Sequence, residues 1–239
     1  MDASILAALS LGFFLGLRHA LDPDHLVAVS TIVSEHKSIA RSSLIGTFWG
    51  LGHTVSLFAI GMIVISLRSS IPQQAAIWME MSVAAMLVAL GLNVIRRSAG
   101  ERAIALHAHS HTHEGKPPHK HLHLHNEANH EHRHHIFRLG RKPFVVGLVH
   151  GVAGSAALTL AVMTQIPSVA LGLAYITLFG VGSVGGMLLM SAMISLPFAV
   201  TARRYSLLNW AIRMLAGLSS VIFGLMLAWE LIKELRQLD

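Results

Sequence analysis

Six long apolar segments constrain the fold of this chain more than any other feature. They cover residues 3–33, 44–67, 75–95, 144–163, 169–200 and 207–232, and charged side chains are few in each. Segments of this length and composition are typical of helices that span a bilayer. Only 13% of the residues are charged and the mean hydropathy is +0.59, which excludes a disordered chain and disfavours a soluble enzyme. We therefore predict an all-α integral membrane protein with about six transmembrane helices.

Two of the segments are longer than a bilayer requires. Residues 3–33 and 169–200 would each form a helix of about 45 Å, against a hydrocarbon core of about 30 Å. Each contains a sequence that can interrupt a helix, Asp22-Pro23-Asp24 in the first and the glycine-rich residues 180–186 in the second. We expect both to be tilted, broken or partly outside the membrane. The helix count rises to seven or eight if either segment is divided.

The two halves of the chain resemble each other. Residues 16–19 align with 147–150 at an offset of 131, 50–53 with 180–183 at 130, and 90–92 with 223–225 at 133. Three helices in each half mean that the second half crosses the membrane in the opposite direction, as in many secondary transporters. The predicted organisation is a first three-helix repeat over 1–97, a loop over 98–142 and a second three-helix repeat over 143–239.

The distribution of basic residues predicts the orientation in the membrane. With six spans, fourteen lysines and arginines fall on one side and only Arg68, Lys233 and Arg236 on the other. Basic residues concentrate on the cytoplasmic side. Leaving out every basic residue from Arg102 to Lys142 still gives seven against three. We expect a multi-pass protein of the cytoplasmic membrane with both termini outside and the central loop in the cytoplasm.

The first apolar segment contains the sharpest candidate site. His19, Asp22, Asp24 and His25 place four ionisable side chains within seven residues. Such groups are costly in a membrane unless they pair, face water or bind a ligand. On a straight helix the two histidines point about 120° apart, but Pro23 favours a locally unwound turn that would bring them together. The alternative is an extramembrane turn in which Asp22 or Asp24 caps the next helix.

Two further histidines lie in apolar segments. His53 follows two glycines in Gly50-Leu51-Gly52-His53, and His150 occupies the repeat position of His19 without carboxylate neighbours, which makes it the weaker candidate. Imidazoles combined with one or two carboxylates suit nickel, cobalt, zinc or copper better than magnesium or calcium. The predicted metal ligands are therefore His19, Asp22, Asp24, His25 and His53, with His150 as a weaker member.

The central loop is a second and separate histidine population. It holds twelve of the seventeen histidines in alternating runs, a pattern typical of disordered metal-binding tracts. We interpret it as a metal buffer; the alternative is a pH-dependent polycation. Its histidines are His107, His109, His111, His113, His119, His121, His123, His125, His130, His132, His134 and His135.

The motif residues resemble those of a known family. His19 with Asp24-His25 fits the HX4DH pattern of the nickel/cobalt transporter (NiCoT) family, and Gly50-Leu51-Gly52-His53-Thr54 is similar to that family's next-helix signature. The chain differs in having no additional N-terminal span, in Pro23, and in lacking the family's acidic signature after Gly147. It is therefore similar to the compact UreH-like branch. The resemblance implies that His19, Asp22, Asp24, His25 and His53 contribute to metal binding or selectivity.

The predicted function is a secondary transporter that moves Ni²⁺, or Co²⁺, across the cytoplasmic membrane, by uptake, with the ion bound at the unwound turn near the repeat interface. The alternative is a Ni²⁺/Co²⁺ exporter driven by proton exchange. A membrane metal sensor and an intramembrane protease using Ser155 or Ser183 are alternatives of other classes. The partners would be the metal ion, the lipid bilayer and a candidate cytoplasmic metallochaperone, with no prosthetic group and no nucleic acid.

Overall fold

The computed structural model describes residues 3–67, 71–104, 109–111, 119–121, 136–153 and 168–238, and these form a helical protein. Two three-residue strands, β1 (His109–His111) and β2 (His119–His121), pair in antiparallel fashion and are the exception to an otherwise all-α fold. The helices of the described part are α1 (Ala3–His19), α2 (Pro23–Ser34), α3 (Ile39–Leu67), α4 (Gln73–Ile104), α5 (Ile136–Val152), α6 (Val169–Arg204) and α7 (Ser206–Leu238).

Four of the described helices, α3, α4, α6 and α7, are long and apolar enough to cross a membrane. The pair α1 and α2 is a fifth candidate span, bent by 53° at its break. Large apolar side chains on the outside of these helices, such as Leu67, Trp78 and Val200, are more than half exposed, as expected of a surface that faces lipid. The expected segment 144–163 coincides with α5 as far as Val152, and most of its remainder lies outside the described residues.

The glycine-rich part of the second long segment does not break the helix there. α6 is one continuous helix from Val169 to Arg204, so the interruption considered for residues 180–186 is absent. Several of these glycines instead allow close packing: a Cβ atom added to Gly182 would overlap the carbonyl oxygen of Phe13, and one added to Gly180 would overlap Thr54. An unbroken helix also keeps its backbone groups paired, which a membrane interior favours.

The close helix contacts are reciprocal between the two halves of the chain. α1 packs on α6, where a Cβ atom at Gly16 would overlap the carbonyl oxygen of Phe179. α5 packs on α3, where a Cβ atom at Gly147 would overlap the carbonyl oxygen of Trp49. Gly147 and Phe179 lie 131 and 130 residues after Gly16 and Trp49. The two contacts are therefore the same contact with the halves exchanged.

The outer helix pair repeats this relationship. In the packing of α4 on α7, a Cβ atom at Gly91 would meet the carbonyl oxygen of Gly217 at 2.5 Å, and one at Gly224 would meet that of Ala84 at 2.8 Å. Both residues of the second contact correspond to residues of the first at an offset of 133. Small residues at matched positions thus set the spacing of both helix pairs.

Replacing Gly16 with alanine is expected to lower the thermal stability of the detergent-solubilised protein. The new methyl group would have to push α1 away from the α6 backbone, and overpacking of this kind costs about 1–3 kcal/mol. Gly185→Ala is the matched control, because an added Cβ at Gly185 meets nothing within 4 Å. That control should unfold at the wild-type temperature or above it. Equal unfolding temperatures for the two variants would contradict the packing described for Gly16.

Candidate metal site

A break between α1 and α2 creates the candidate site. α1 ends at His19 and α2 begins at Pro23, whose ring is compatible with the first position of a helix but not with its interior. Asp22 before it is extended, with φ −62° and ψ 143°, as the residue preceding a proline prefers. The backbone N–H of Leu21 donates to the carbonyl of Arg18 at 2.8 Å and closes the end of α1.

The break brings together two histidines that a straight helix would separate. His19 and His25 would lie about 9 Å apart along a straight axis, whereas their ring centroids are 4.4 Å apart. Both side chains are buried, with exposed fractions of 6% and 1%. Asp22, at the N-cap of α2, makes no side-chain capping bond, so the capping role considered for it is not used. Its carboxylate contacts His19 instead.

His53 approaches the break from α3. Its Nε2 lies 3.1 Å from Nε2 of His19, and its ring centroid is 5.3 Å from that of His25. His53 is fully buried and is the central residue of the 29-residue helix Ile39–Leu67. The contact therefore lies near mid-height of a helix that is long enough to span a membrane.

His150, the weaker candidate of the sequence, joins the same group from α5. Its Nε2 lies 2.8 Å from Oδ2 of Asp24, while Oδ1 of Asp24 lies 3.2 Å from Nδ1 of His25. The His25 and His150 rings have centroids 4.0 Å apart. Asp24 thus bridges the two halves of the chain. We refer to His19, Asp24, His25, His53 and His150 as the histidine cluster.

The carboxylates determine which ring nitrogens remain available. An ionised carboxylate only accepts hydrogen bonds, so His19 and His25 donate from Nδ1 to Asp22 and Asp24, and His150 donates from Nε2. Each neutral ring then presents a lone pair on its other nitrogen. Histidines that bind metals are commonly oriented in this way by a carboxylate on the opposite nitrogen.

Three of these rings have a nitrogen without a hydrogen-bond partner among the described residues. They are Nε2 of His25, Nδ1 of His53 and Nδ1 of His150. An unsatisfied buried polar group costs about 1–3 kcal/mol, so such atoms are rare without a purpose. For two of them, His25 and His150, the unpartnered nitrogen is the one that the carboxylate bond leaves with a lone pair. A bound cation would satisfy both.

The dimensions of the cluster fit a single transition-metal ion. One ring nitrogen from each of His19, His25 and His53 lies within 4.8 Å of the others, and a second group of Asp24, His25 and His150 meets the same criterion. Ligand nitrogens about 2.1 Å from an ion are about 2.9 Å apart when adjacent and about 4.2 Å apart when opposite. The 3.1 Å between His19 and His53 falls within this range. Asp22 and Asp24 together would balance the charge of a divalent ion.

Aromatic side chains form the wall behind the cluster. Trp49 is fully buried and lies parallel to the His25 ring, with centroids 5.7 Å apart and an interplanar angle of 14°. It also lies 5.5 Å from the His150 ring, and Phe179 lies 5.5 Å from that of His19. These contacts restrict the rotamers of three histidines and keep lipid and bulk water from this face. The sequence gave no signal for Trp49, because a tryptophan in an apolar helix is ordinary.

The polar residues near the motifs mainly connect helices. Ser56 donates to the carbonyl of Leu148 at 2.7 Å, and Ser183 donates to that of Gly16 at 3.2 Å. Ser183 is thus engaged with backbone rather than with a histidine, which gives no support to the protease alternative. Ser155 and eight loop histidines lie outside the described residues. Four other loop histidines belong to β1 and β2.

Comparison with known proteins agrees with the chemistry of this site. Residues 5–233 match the NicO family, described as "High-affinity nickel-transport protein". The chain belongs to the NicO family. It is 38% identical over 231 residues to the urease accessory protein UreH of Bacillus sp. (strain TB-90), covering 94% of this chain and 91% of that protein. The resemblance to nickel/cobalt transporters of the UreH-like branch is confirmed.

A more distant NicO-family relative is a plant protein. The chain is 27% identical over 180 residues to the chloroplast protein FOR GROWTH AND FERTILITY 1 of Arabidopsis thaliana. The match covers 74% of this chain and 46% of the plant protein, so this chain spans about half the length of that relative. No solved structure matches the chain significantly.

Proposed function

We propose that this NicO-family protein is a secondary transporter that takes up Ni²⁺, and Co²⁺ as a second substrate, across the cytoplasmic membrane. The carrying observation is the set of buried imidazoles at the α1–α2 break. Carboxylates hold the protonated nitrogens of His19 and His25, so that their other nitrogens are directed to a common position with His53. In this proposal, the ion loses its water there and is then released to the other side.

The donor set supports nickel and cobalt over the alkaline earth ions. Magnesium and calcium prefer oxygen ligands, whereas imidazole nitrogen favours late first-row metals such as nickel, cobalt, zinc and copper. Among the described residues, the cluster offers four histidines and Asp24, with Asp22 behind His19. The family description, a high-affinity nickel-transport protein, favours nickel within this group.

The reciprocal helix contacts support a 3+3 inverted repeat that alternates access to the cluster. The contact of Gly16 with Phe179 and that of Gly147 with Trp49 exchange the two halves. Asp24 and His150 join the halves directly within the cluster. Rocking of one repeat against the other would therefore open the cluster first to one side and then to the other. We further propose six spans, with both termini outside and the histidine-rich loop in the cytoplasm.

An inward-negative membrane potential is sufficient as a driving force in this proposal. The sequence contains no phosphate-binding glycine loop that would indicate nucleotide hydrolysis. A divalent cation gains about 4–5 kcal/mol on moving inward across 100 mV. This corresponds to an accumulation of more than about 1,000-fold at equilibrium.

The test is metal flux in proteoliposomes with an imposed potential, using nickel, cobalt, zinc and manganese separately. We expect nickel and then cobalt to enter vesicles whose lumen is negative, and His19→Ala to remove this flux. Absence of flux with any metal would contradict a transport function. Flux that required an outward proton gradient and ran out of the lumen-equivalent of the cytoplasm would contradict uptake and favour proton-coupled export.

Deleting residues 107–135 is expected to leave transport intact but to reduce metal retention. The deletion removes all twelve loop histidines and no residue of the histidine cluster. The number of nickel ions bound per purified chain should fall, while the maximal rate of uptake stays within about twofold of wild type. Equilibrium dialysis and initial-rate flux measure the two quantities. Complete loss of transport would contradict a buffering role and place the loop in the transport pathway.

A further inference from the structure

A cavity of about 290 Å³ adjoins the histidine cluster on the side of α4 and α7. Asp24 and His150 of the cluster line it together with Glu80 of α4, and Val83, Ala153, Phe223 and Leu227 complete its wall. A water molecule occupies about 30 Å³ in the liquid, so the cavity has room for a metal ion that keeps several of its waters. The cavity is therefore large enough to hold a partly hydrated ion next to the cluster.

Glu80 is an unusual residue at this position. It lies within the apolar span Gln73–Glu101, and an ionisable side chain inside a span is costly unless it serves a function. Among the described residues, no hydrogen bond or salt bridge compensates it. Its nearest charged neighbours are Asp24 and Glu234, both acidic, so the carboxylates repel one another. A cation between Glu80 and Asp24 would remove that repulsion.

Acidic groups continue from Glu80 toward the protein surface. Glu234 of α7 accepts a hydrogen bond from Nε2 of Gln73 at 2.9 Å, and both groups are exposed. Gln73 is the first residue of α4, and Glu80 lies seven residues further, about 10 Å along the helix. Glu234, Glu80 and Asp24 thus form a series of carboxylates from the exposed end of α4 to the cluster.

We propose that Glu80 is a binding residue on the access path, where it holds the incoming hydrated cation before the histidines do. This inference rests on the proposed transport function and adds to it a first, oxygen-based stage. Glu80 and Asp24 receive the ion with most of its water, and His150 then offers Nδ1, a buried nitrogen with no partner among the described residues. Transfer to His25 and His53 follows as further waters leave. Capture depends on charge, and selection for nickel depends on the imidazoles.

The first test compares Glu80→Gln with Glu230→Gln in proteoliposomes, measuring the initial rate of Ni²⁺ uptake. Glu230 lies on α7, is exposed and does not line the cavity. We expect Glu80→Gln to raise the KM for Ni²⁺ about tenfold, Glu80→Asp to recover part of the loss, and Glu230→Gln to match wild type. Nickel affinity of the purified protein, measured by calorimetry without residues 107–135, should change less than threefold because the cluster is intact.

The outcomes separate this inference from the proposed function. A wild-type KM in Glu80→Gln, together with loss of flux in His25→Ala, would overturn the role of Glu80 and leave the cluster assignment standing. Equal losses in Glu80→Gln and Glu230→Gln would also overturn it, because the effect would then be one of general surface charge. Loss of calorimetric affinity in Glu80→Gln would place Glu80 in the final binding site and contradict a separate stage.

A second test uses the absence of cysteine from the whole chain. Leu227→Cys places a thiol in the cavity, and Leu225→Cys places one on the outer face of the same helix, where the leucine is 57% exposed. A cationic methanethiosulfonate reagent should modify the first thiol, and Ni²⁺ should slow that reaction at least fivefold. Nickel should leave the rate at the second unchanged. An unreactive thiol at position 227, or one that Ni²⁺ does not protect, would contradict an access path through this cavity.

Discussion

Replacing His25 with alanine or glutamine is expected to abolish nickel uptake. Nε2 of His25 is buried and has no hydrogen-bond partner in the described part of the chain, and His25 belongs to both groups of residues that can hold an ion. Removing a residue that only supports a metal ligand reduces affinity about 10- to 100-fold, so loss of a central ligand should exceed about 100-fold. The measurement is initial-rate uptake of Ni²⁺ into proteoliposomes.

The control for this variant is His36→Ala. His36 lies just beyond α2 and lines a separate cavity of about 280 Å³, where its Nδ1 contacts the carbonyl of Ile32 at 3.1 Å. Its replacement should leave uptake within about twofold of wild type. Uptake that persists in both His25 variants would contradict the site.

The same pair of variants distinguishes loss of binding from loss of folding. A ligand at 100 times its Kd stabilises a protein by about 2.7 kcal/mol, so Ni²⁺ should raise the unfolding temperature of wild type and of His36→Ala. It should not do so for His25→Ala. Without metal, His25→Gln should unfold near the wild-type temperature, because the ring it replaces has an unsatisfied nitrogen. Both proteins should lack residues 107–135, so that loop histidines do not contribute.

Replacing Asp24 with asparagine is expected to reduce uptake by more than about 100-fold, and Asp22→Asn by only about tenfold. Asp24 accepts hydrogen bonds from both His25 and His150, and an amide can keep only one of them because its NH₂ group donates. Asp22 accepts one bond, from His19, and an amide oxygen can still accept it. The Asp22 carboxylate is also more exposed, at 42% against 28% for Asp24.

Charge makes the same distinction. With neutral imidazoles, Asp22 and Asp24 balance the two positive charges of Ni²⁺, and an unbalanced charge is more costly where the surroundings are more buried. The measurement is the KM and maximal rate of Ni²⁺ uptake for both variants and for Asp24→Glu, which keeps the charge. Equal effects of Asp22→Asn and Asp24→Asn, or a larger effect of the former, would contradict the bridging role of Asp24.

The sequence located the break in the first segment because several independent signals coincide there. Pro23 cannot continue a helix, and His19 to His25 concentrate ionisable groups that an apolar helix does not tolerate without a reason. By contrast, the glycines at 180–186 were ambiguous, since glycine in a membrane helix permits either unwinding or close packing. Only the contacts of α6 with α1 and α3 distinguish the two, and these depend on tertiary structure.

The relative importance of the site residues was harder to predict. His150 lacks acidic neighbours in sequence, but its carboxylate partner, Asp24, comes from the other half of the chain. Glu80 carried a signal, a lone acid in an apolar segment, but its function depends on a cavity formed by α4, α7 and the cluster. Partners that are more than 50 residues apart leave no local pattern in the sequence. The four-helix minimum for spans likewise reflects the described residues, and six spans remain a prediction.

The most direct test of the central claim is nickel K-edge X-ray absorption of the purified protein without residues 107–135. Because those residues hold twelve histidines, their removal leaves the histidine cluster as the main source of imidazole ligands. The account predicts about three imidazole nitrogens at about 2.1 Å from the ion, and about two in His53→Ala. A shell of oxygen alone, or an imidazole number that is the same in wild type, His25→Ala and His53→Ala, would contradict binding of nickel by this cluster.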